Sequence, residues 1–101
     1  MRVIKFTINE NYYEEFKNKC FDQDITVKKK LNVLIAQDST VENIKDLFPE
    51  DHNENPRKIT LKVNEELFKS IMKKCGTLDL KIGNYMPYLI YRYLANEKIA
   101  L

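Results

Sequence analysis

Lys58, Thr60 and Lys62 alternate with Ile59, Leu61 and Val63 in one short stretch of the chain. A period of two is that of a strand with one wet face and one dry face. The wet face offers ammonium and hydroxyl groups, which hydrogen-bond to the base edges and phosphates of nucleic acid. Little else in the sequence suggests chemistry. No nucleophile with its base, no glycine-rich phosphate loop and no paired carboxylates can be picked out, so an enzyme is not expected. Two cysteines and one histidine cannot complete a structural zinc site. No metal and no cofactor is expected.

The stretch has an echo. Arg2-Val3-Ile4-Lys5-Phe6-Thr7-Ile8 alternates in the same phase, and Asn9-Glu10 follows it as Asn64-Glu65 follows Val63. Residues 2–37 laid on 57–92 at a constant shift of 55 give nine identical pairs, against about two expected by chance. They are Arg2/Arg57, Ile4/Ile59, Asn9/Asn64, Glu10/Glu65, Lys19/Lys74, Cys20/Cys75, Asp24/Asp79, Leu34/Leu89 and Ile35/Ile90. Most remaining apolar positions agree in class, as Phe6/Leu61 and Phe16/Ile71 do. The chain carries an internal duplication.

Each copy reads strand, helix, helix. Asn9 and Asn64 suit helix N-caps, with acids in the first turn. Tyr12, Tyr13, Phe16 and Cys20, and then Leu67, Phe68, Ile71 and Cys75, form helical stripes. Gly76 is placed to end the second copy's first helix; Phe21 stands there in the first copy, so the two turns are expected to differ. Thr26 is the expected cap of the next helix, with Leu31, Leu34 and Ile35 inward. Its counterpart turns Met86, Leu89, Ile90, Tyr93 and Leu94 inward. Pro87 argues there for a late start capped by Asn84, or for a kink. Cys20 and Cys75 read as small core residues, a disulfide being the competing reading.

The expected organisation is residues 1–38 as one copy, 39–56 as an acidic linker and 57–101 as the other copy, both copies sharing one core. Ser39-Thr40-Val41-Glu42 has capping-box spacing, which predicts a short extra helix over 41–48 ended by Pro49. A single strand has no ladder partner within its own copy, and a unit of ~35 residues cannot bury a core alone. Antiparallel pairing of the two strands under the helices meets both needs, and leaves Val3, Lys5, Thr7, Lys58, Thr60 and Lys62 facing out. The expected class is mainly α with one two-stranded antiparallel ribbon.

The 101 residues have a net charge of only +2, but six of the fifteen acids lie between Asp38 and Asn55 beside the single base Lys45. The remainder holds sixteen bases against nine acids, a basic body with an acidic connector. No apolar run approaches the ~18 residues of a membrane span and no signal-peptide pattern opens the chain, so a cytoplasmic protein without membrane contact is expected. His52, set among acids, reads as solvated.

The alternating Lys/Thr strands, the Asn64-Glu65-Glu66-Leu67-Phe68 helix start, the Gly76 turn and the second amphipathic helix resemble the ribbon-helix-helix (MetJ/Arc-like) family of DNA-binding proteins. The resemblance covers residues 2–37 and 57–95. In that family two chains dimerise to build the ribbon; this chain looks like two tandem copies fused into one. The resemblance implies a ribbon in the major groove, with base contacts from Val3, Lys5, Thr7, Lys58, Thr60 and Lys62. It implies phosphate contacts from Arg2 and Arg57 and from the second-helix starts at Thr26, Val27, Lys28, Lys81, Ile82 and Asn84. Because the two strands differ, the fused form can read an asymmetric site. The implied partner is double-stranded DNA, in the nucleoid, and the implied work is transcriptional repression or an origin-binding accessory role on a mobile element such as a plasmid or phage. Self-association along DNA through Tyr88 and Tyr91 competes with their packing on the other helices. The alternative is a protein-interaction module on the same fold, an antitoxin or host-protein inhibitor, using the acidic segment 38–55 and the tyrosine-rich last helix. Alternating Lys/Thr on one strand is usually a solvated face; the duplication gives it weight.

Overall fold

The computed structural model describes residues 2–37 and 48–99. Two strands, β1 (Arg2–Asn9) and β2 (Pro56–Val63), are each followed by two helices: α1 (Glu10–Asp22) and α2 (Val27–Gln37), then α3 (Glu65–Leu78) and α4 (Ile82–Ile99). The strands pair with each other antiparallel, so the chain is mainly helical around one two-stranded sheet. The extra helix expected over 41–48 lies, apart from Phe48, outside the described residues.

The alternation in sequence becomes alternation in burial. Ile4, Phe6, Ile8, Ile59 and Val63 are buried, and Leu61 is half-buried. Arg57 is half-buried, and Val3, Lys5, Thr7, Lys58, Thr60 and Lys62 are exposed. A one-residue slip would exchange these sets, so the core face fixes the register. The buried side chains of both strands and all four helices join a single core.

The helix starts follow from their caps. Asn9 Oδ1 accepts from Asn11 N at 2.8 Å, and Asn64 Oδ1 accepts from Leu67 N at 2.8 Å. Thr26 caps α2, its hydroxyl accepting from Lys29 N at 3.1 Å. The first-helix ends correct the expectation from Gly76. That glycine lies inside α3, and the turning residue is Asp79, in the left-handed region at φ 53°. Asp24, its identical partner in the repeat, has φ 55°. Ile25 N donates to Cys20 O at 3.0 Å and Leu80 N to Cys75 O at 2.9 Å, so the two turns close alike. Aspartate tolerates this conformation better than most residues, which lets an Asp pair do the work expected of glycine.

The start of α4 is a second correction. The helix begins at Ile82, and the amides of Asn84 and Tyr85 both donate to Lys81 O at 3.0 Å. Asn84 is therefore the third helical residue, not the cap, and Pro87 sits in the interior, where a missing N–H and ring crowding cost about 3 kcal/mol. The ring is fully buried, and apolar burial offsets part of that cost. From Tyr85 to Tyr91 every residue of α4 is buried, so this helix is the central post of the core; α2 buries only Leu31 and Ile35. Tyr88 and Tyr91, considered as a contact surface, are interior, as is Tyr93. Cys20 and Cys75 are buried free thiols, both pushed up by desolvation.

Residues 48–55 form a folded cap on the end of β1. Asn9, wholly buried, donates from Nδ2 to Asp51 O at 2.7 Å and to Glu54 O at 2.8 Å, while Glu10 N donates to Asn55 O at 2.9 Å. Tyr12 donates its hydroxyl proton to Asp51 Oδ1 at 3.1 Å. Tyr91 meets Tyr12 edge-on at 5.4 Å between centroids and Phe48 at 5.3 Å. His52, read as solvated, is half-buried: its ring lies 4.7 Å from that of Phe48, and its Nδ1 meets the Tyr91 hydroxyl. That hydroxyl also accepts from Asn9 N at 3.5 Å and is pushed up to about 12 by burial, so it stays protonated beside the imidazole.

The two asparagine caps should therefore differ in weight. Asn64→Ala removes one cap bond and should cost about 1 kcal/mol. Asn9→Ala also leaves two carbonyls of the 48–55 segment without their donor and should cost about 2–4 kcal/mol by urea unfolding. A second expectation concerns acid. Desolvation holds the His52 imidazole below its ordinary value, so the unfolded chain takes up the proton first. The His52 contribution is full above the unfolded value of about 6.5 and is lost as pH falls through the folded value. The urea midpoint should drop between pH 7 and pH 5.5, and most of that drop should vanish in His52→Gln.

Candidate nucleic-acid interface

The outward face of the ribbon is built from three cross-strand pairs: Val3 opposite Lys62, Lys5 opposite Thr60 and Thr7 opposite Lys58. Opposed side chains on one face stand ~5 Å apart, and successive outward residues of a strand are ~7 Å apart. The six side chains thus cover a patch ~14 Å long and two strands wide. Lys5, Thr7, Lys58 and Thr60 border a shallow depression over the middle of the ribbon. Lys5, Lys58 and Lys62 form no ion pair with any described residue. Three lysines held on one face without carboxylates form a positive surface that attracts polyanions. Hydroxyls and one exposed valine, 49% accessible, lie between them.

The two strand-start arginines behave differently. Arg2 Nε lies 3.0 Å from Glu65 Oε1, and its guanidinium rests 4.8 Å from the Phe68 ring centroid. Arg57 is 3.8 Å from Glu10 Oε1, also pairs closely with Glu14, and rests 5.0 Å from the Tyr13 ring centroid. Arg57 holds the Glu14 carboxyl below the usual carboxylate range. Glu10 and Tyr13 are the repeat equivalents of Glu65 and Phe68, so each arginine grips the first helix of the other segment in the same way. A phosphate reaching either arginine must compete with a carboxylate.

At the second-helix starts, Lys29 N and Lys30 N already bond to Thr26, whereas the amides of Val27 and Lys28 have no partner among the described residues. The amides of Ile82 and Gly83 are in the same position at α4. Thr26, Lys28, Lys81 and Asn84 are exposed; Val27 and Ile82 are half-buried. These ends offer N–H groups and the positive helix pole to an anion. Lys30 is turned away: its Nζ donates to Gln23 Oε1 at 3.0 Å and lies 4.5 Å from the Tyr93 ring centroid. Lys28 and Lys29 are both exposed in the first turn of α2. Phe21, 83% accessible beside the α1–α2 turn, lies off the Tyr13–Phe16–Cys20 stripe, and that position forecasts its exposure.

Among the described residues no helix is long and apolar enough to cross a membrane. Comparison with known proteins finds no matching family model, no matching curated protein and no matching solved structure.

The outward lysines contribute nothing visible to the core. Replacing Lys5, Lys58 and Lys62 together by Ala should change stability by no more than about 0.5 kcal/mol per site, whereas Arg57→Ala should cost about 1–2 kcal/mol through its ion pairs and ring contact. Urea unfolding of both variants checks this.

Proposed function

We propose that the chain is a sequence-specific double-stranded-DNA-binding protein of ribbon-helix-helix type, in which two tandem copies form the halves of one pseudo-dimeric reading head. The observation that carries the reading is the centre of the ribbon. Lys5 pairs with Thr60, its own equivalent at the repeat shift of 55, so the strands cross about the point that a two-fold relation between the copies requires. The matched Asn9/Asn64 caps, the Asp24/Asp79 turns and the crosswise arginine grips support the same relation.

A two-stranded ribbon fits a major groove ~12 Å wide and presents outward side chains to base edges. Lys5, Lys58 and Lys62 donate to guanine O6 and N7; Thr7 and Thr60 donate, accept or touch thymine methyls; Val3 offers apolar contact alone. The starts of α2 and α4 clamp phosphates on either side, with Thr26, Val27, Lys28, Lys81, Ile82 and Asn84 as candidates. Arg2 and Arg57 act first as struts between strand and helix. Such a protein, in the cytoplasm with the nucleoid, suits transcriptional repression or an origin-binding accessory role on a mobile element. The competing interaction-module reading takes as its surface the acidic segment 38–55, of which 38–47 lie outside the described residues, and the last helix's tyrosines; of these, Tyr85, Tyr88, Tyr91 and Tyr93 are buried.

Lys58→Ala and Lys62→Ala should each weaken binding to a selected duplex by about 1–3 kcal/mol while leaving the fold intact. The logarithm of the wild-type binding constant should fall linearly with the logarithm of salt, with a slope of about −0.9 per phosphate neutralised. Unchanged affinity in the double variant would sink the reading.

A further inference from the structure

On the ribbon the two copies agree along the inward face and disagree along the outward one. Inward, Ile4/Ile59 are identical and Phe6/Leu61 and Ile8/Val63 keep their class; at the strand starts and helix caps, Arg2/Arg57 and Asn9/Asn64 are identical. Outward, all three equivalent pairs differ: Val3/Lys58, Lys5/Thr60 and Thr7/Lys62. The register converts this into a direction. Val3 with Lys62 stands at one end of the face, and Thr7 with Lys58 at the other. Exchanging the copies turns each end into a different combination and reverses the central Lys5–Thr60 pair. The β2 edge is Lys-Thr-Lys, and the β1 edge is Val-Lys-Thr.

We infer that, within the DNA-binding reading on which this rests, the ribbon recognises a non-palindromic duplex in one fixed orientation, with guanines facing Lys58 and Lys62 on the β2 side and a thymine methyl facing Val3. Lys58 and Lys62 are four residues apart on one strand. That is ~14 Å along β2, about four base steps at ~3.4 Å each. A face obeying the two-fold relation would read two like half-sites. This face cannot, because valine has no donor with which to repeat what Lys58 does, and Val3 is half-exposed with only a methyl surface to offer. Of the groups a major groove presents, the thymine C5-methyl is the one that matches it.

The test is in-vitro selection of bound duplexes with two full-length chains, the natural one and the variant V3K/K5T/T7K, which gives both strands the same outward residues. The natural chain should select a motif without two-fold symmetry, containing two guanines about four steps apart. The variant should select a palindrome that repeats the guanine-bearing half. Selection of a palindrome by the natural chain would overturn the inference while leaving DNA binding intact; no enrichment with either chain would overturn both. Replacing the Val3-facing thymine by uracil removes only the methyl and should weaken natural binding about fourfold, with no such loss in Val3→Ala. Equal loss in both chains, or none in the natural one, would remove Val3 from the reading.

Discussion

The structure depends on the pairing of β1 with β2. Each strand comes from a segment that offers it no neighbour, so its backbone amides and carbonyls find their ladder across 47 to 61 residues of chain. Once paired, the strands place Ile4, Phe6, Ile8, Ile59, Leu61 and Val63 on one side, where the helices can cover them. The opposite side is left to residues that packing does not choose. That freedom allows a chemically specific face: the inward residues fix the register, and the outward ones can vary without moving it.

Around this shared ribbon the helices are not equivalent. α4 is buried all round from Tyr85 to Tyr91, whereas α2 buries one narrow stripe. The 48–55 segment accounts for part of this, since Phe48 and His52 cover Tyr91, and Asp51 and Glu54 take the amide of Asn9. What reads as a polar connector is a cap tying the end of β1 to the start of β2 and to the central helix. It brings the strand ends together within one chain, because Asn55 leads directly into Pro56, opposite Asn9.

Much of this was readable in the residues and some was not, for definite reasons. Period-two alternation gave both strands and their faces, and Asn9, Asn64 and Thr26 marked helix starts, because a cap is a local hydrogen bond that one side chain can make. Glycine is the usual left-handed residue and Gly76 is the nearest glycine, yet the turns are made by Asp24 and Asp79, an identical pair in the repeat. α4 starts earlier than the late start that Pro87 suggests, because Pro87 carries a local cost that burial in the core offsets, and tertiary burial has no local signature. Tyr85, Tyr88 and Tyr91 escape a periodicity reading for the same reason, because a helix buried on every side has no stripe; Tyr93 falls on the expected inward stripe, and His52 lies in a turn whose packing partners are distant in sequence. The candidate face emerged whole, whereas the engagement of Arg2 and Arg57 with Glu65, Glu10 and Glu14 needed the crossing of the two segments in space.

The central claim is that DNA meets this protein at the outward ribbon face. Titration of the isotopically labelled chain with a mixed-sequence duplex at low salt, followed residue by residue by nuclear magnetic resonance, tests it most directly. The account predicts the largest shifts at Val3, Lys5, Thr7, Lys58, Thr60 and Lys62, with a second set at the starts of α2 and α4. Shifts confined to α3 or to residues 48–55, with the ribbon silent, would contradict it.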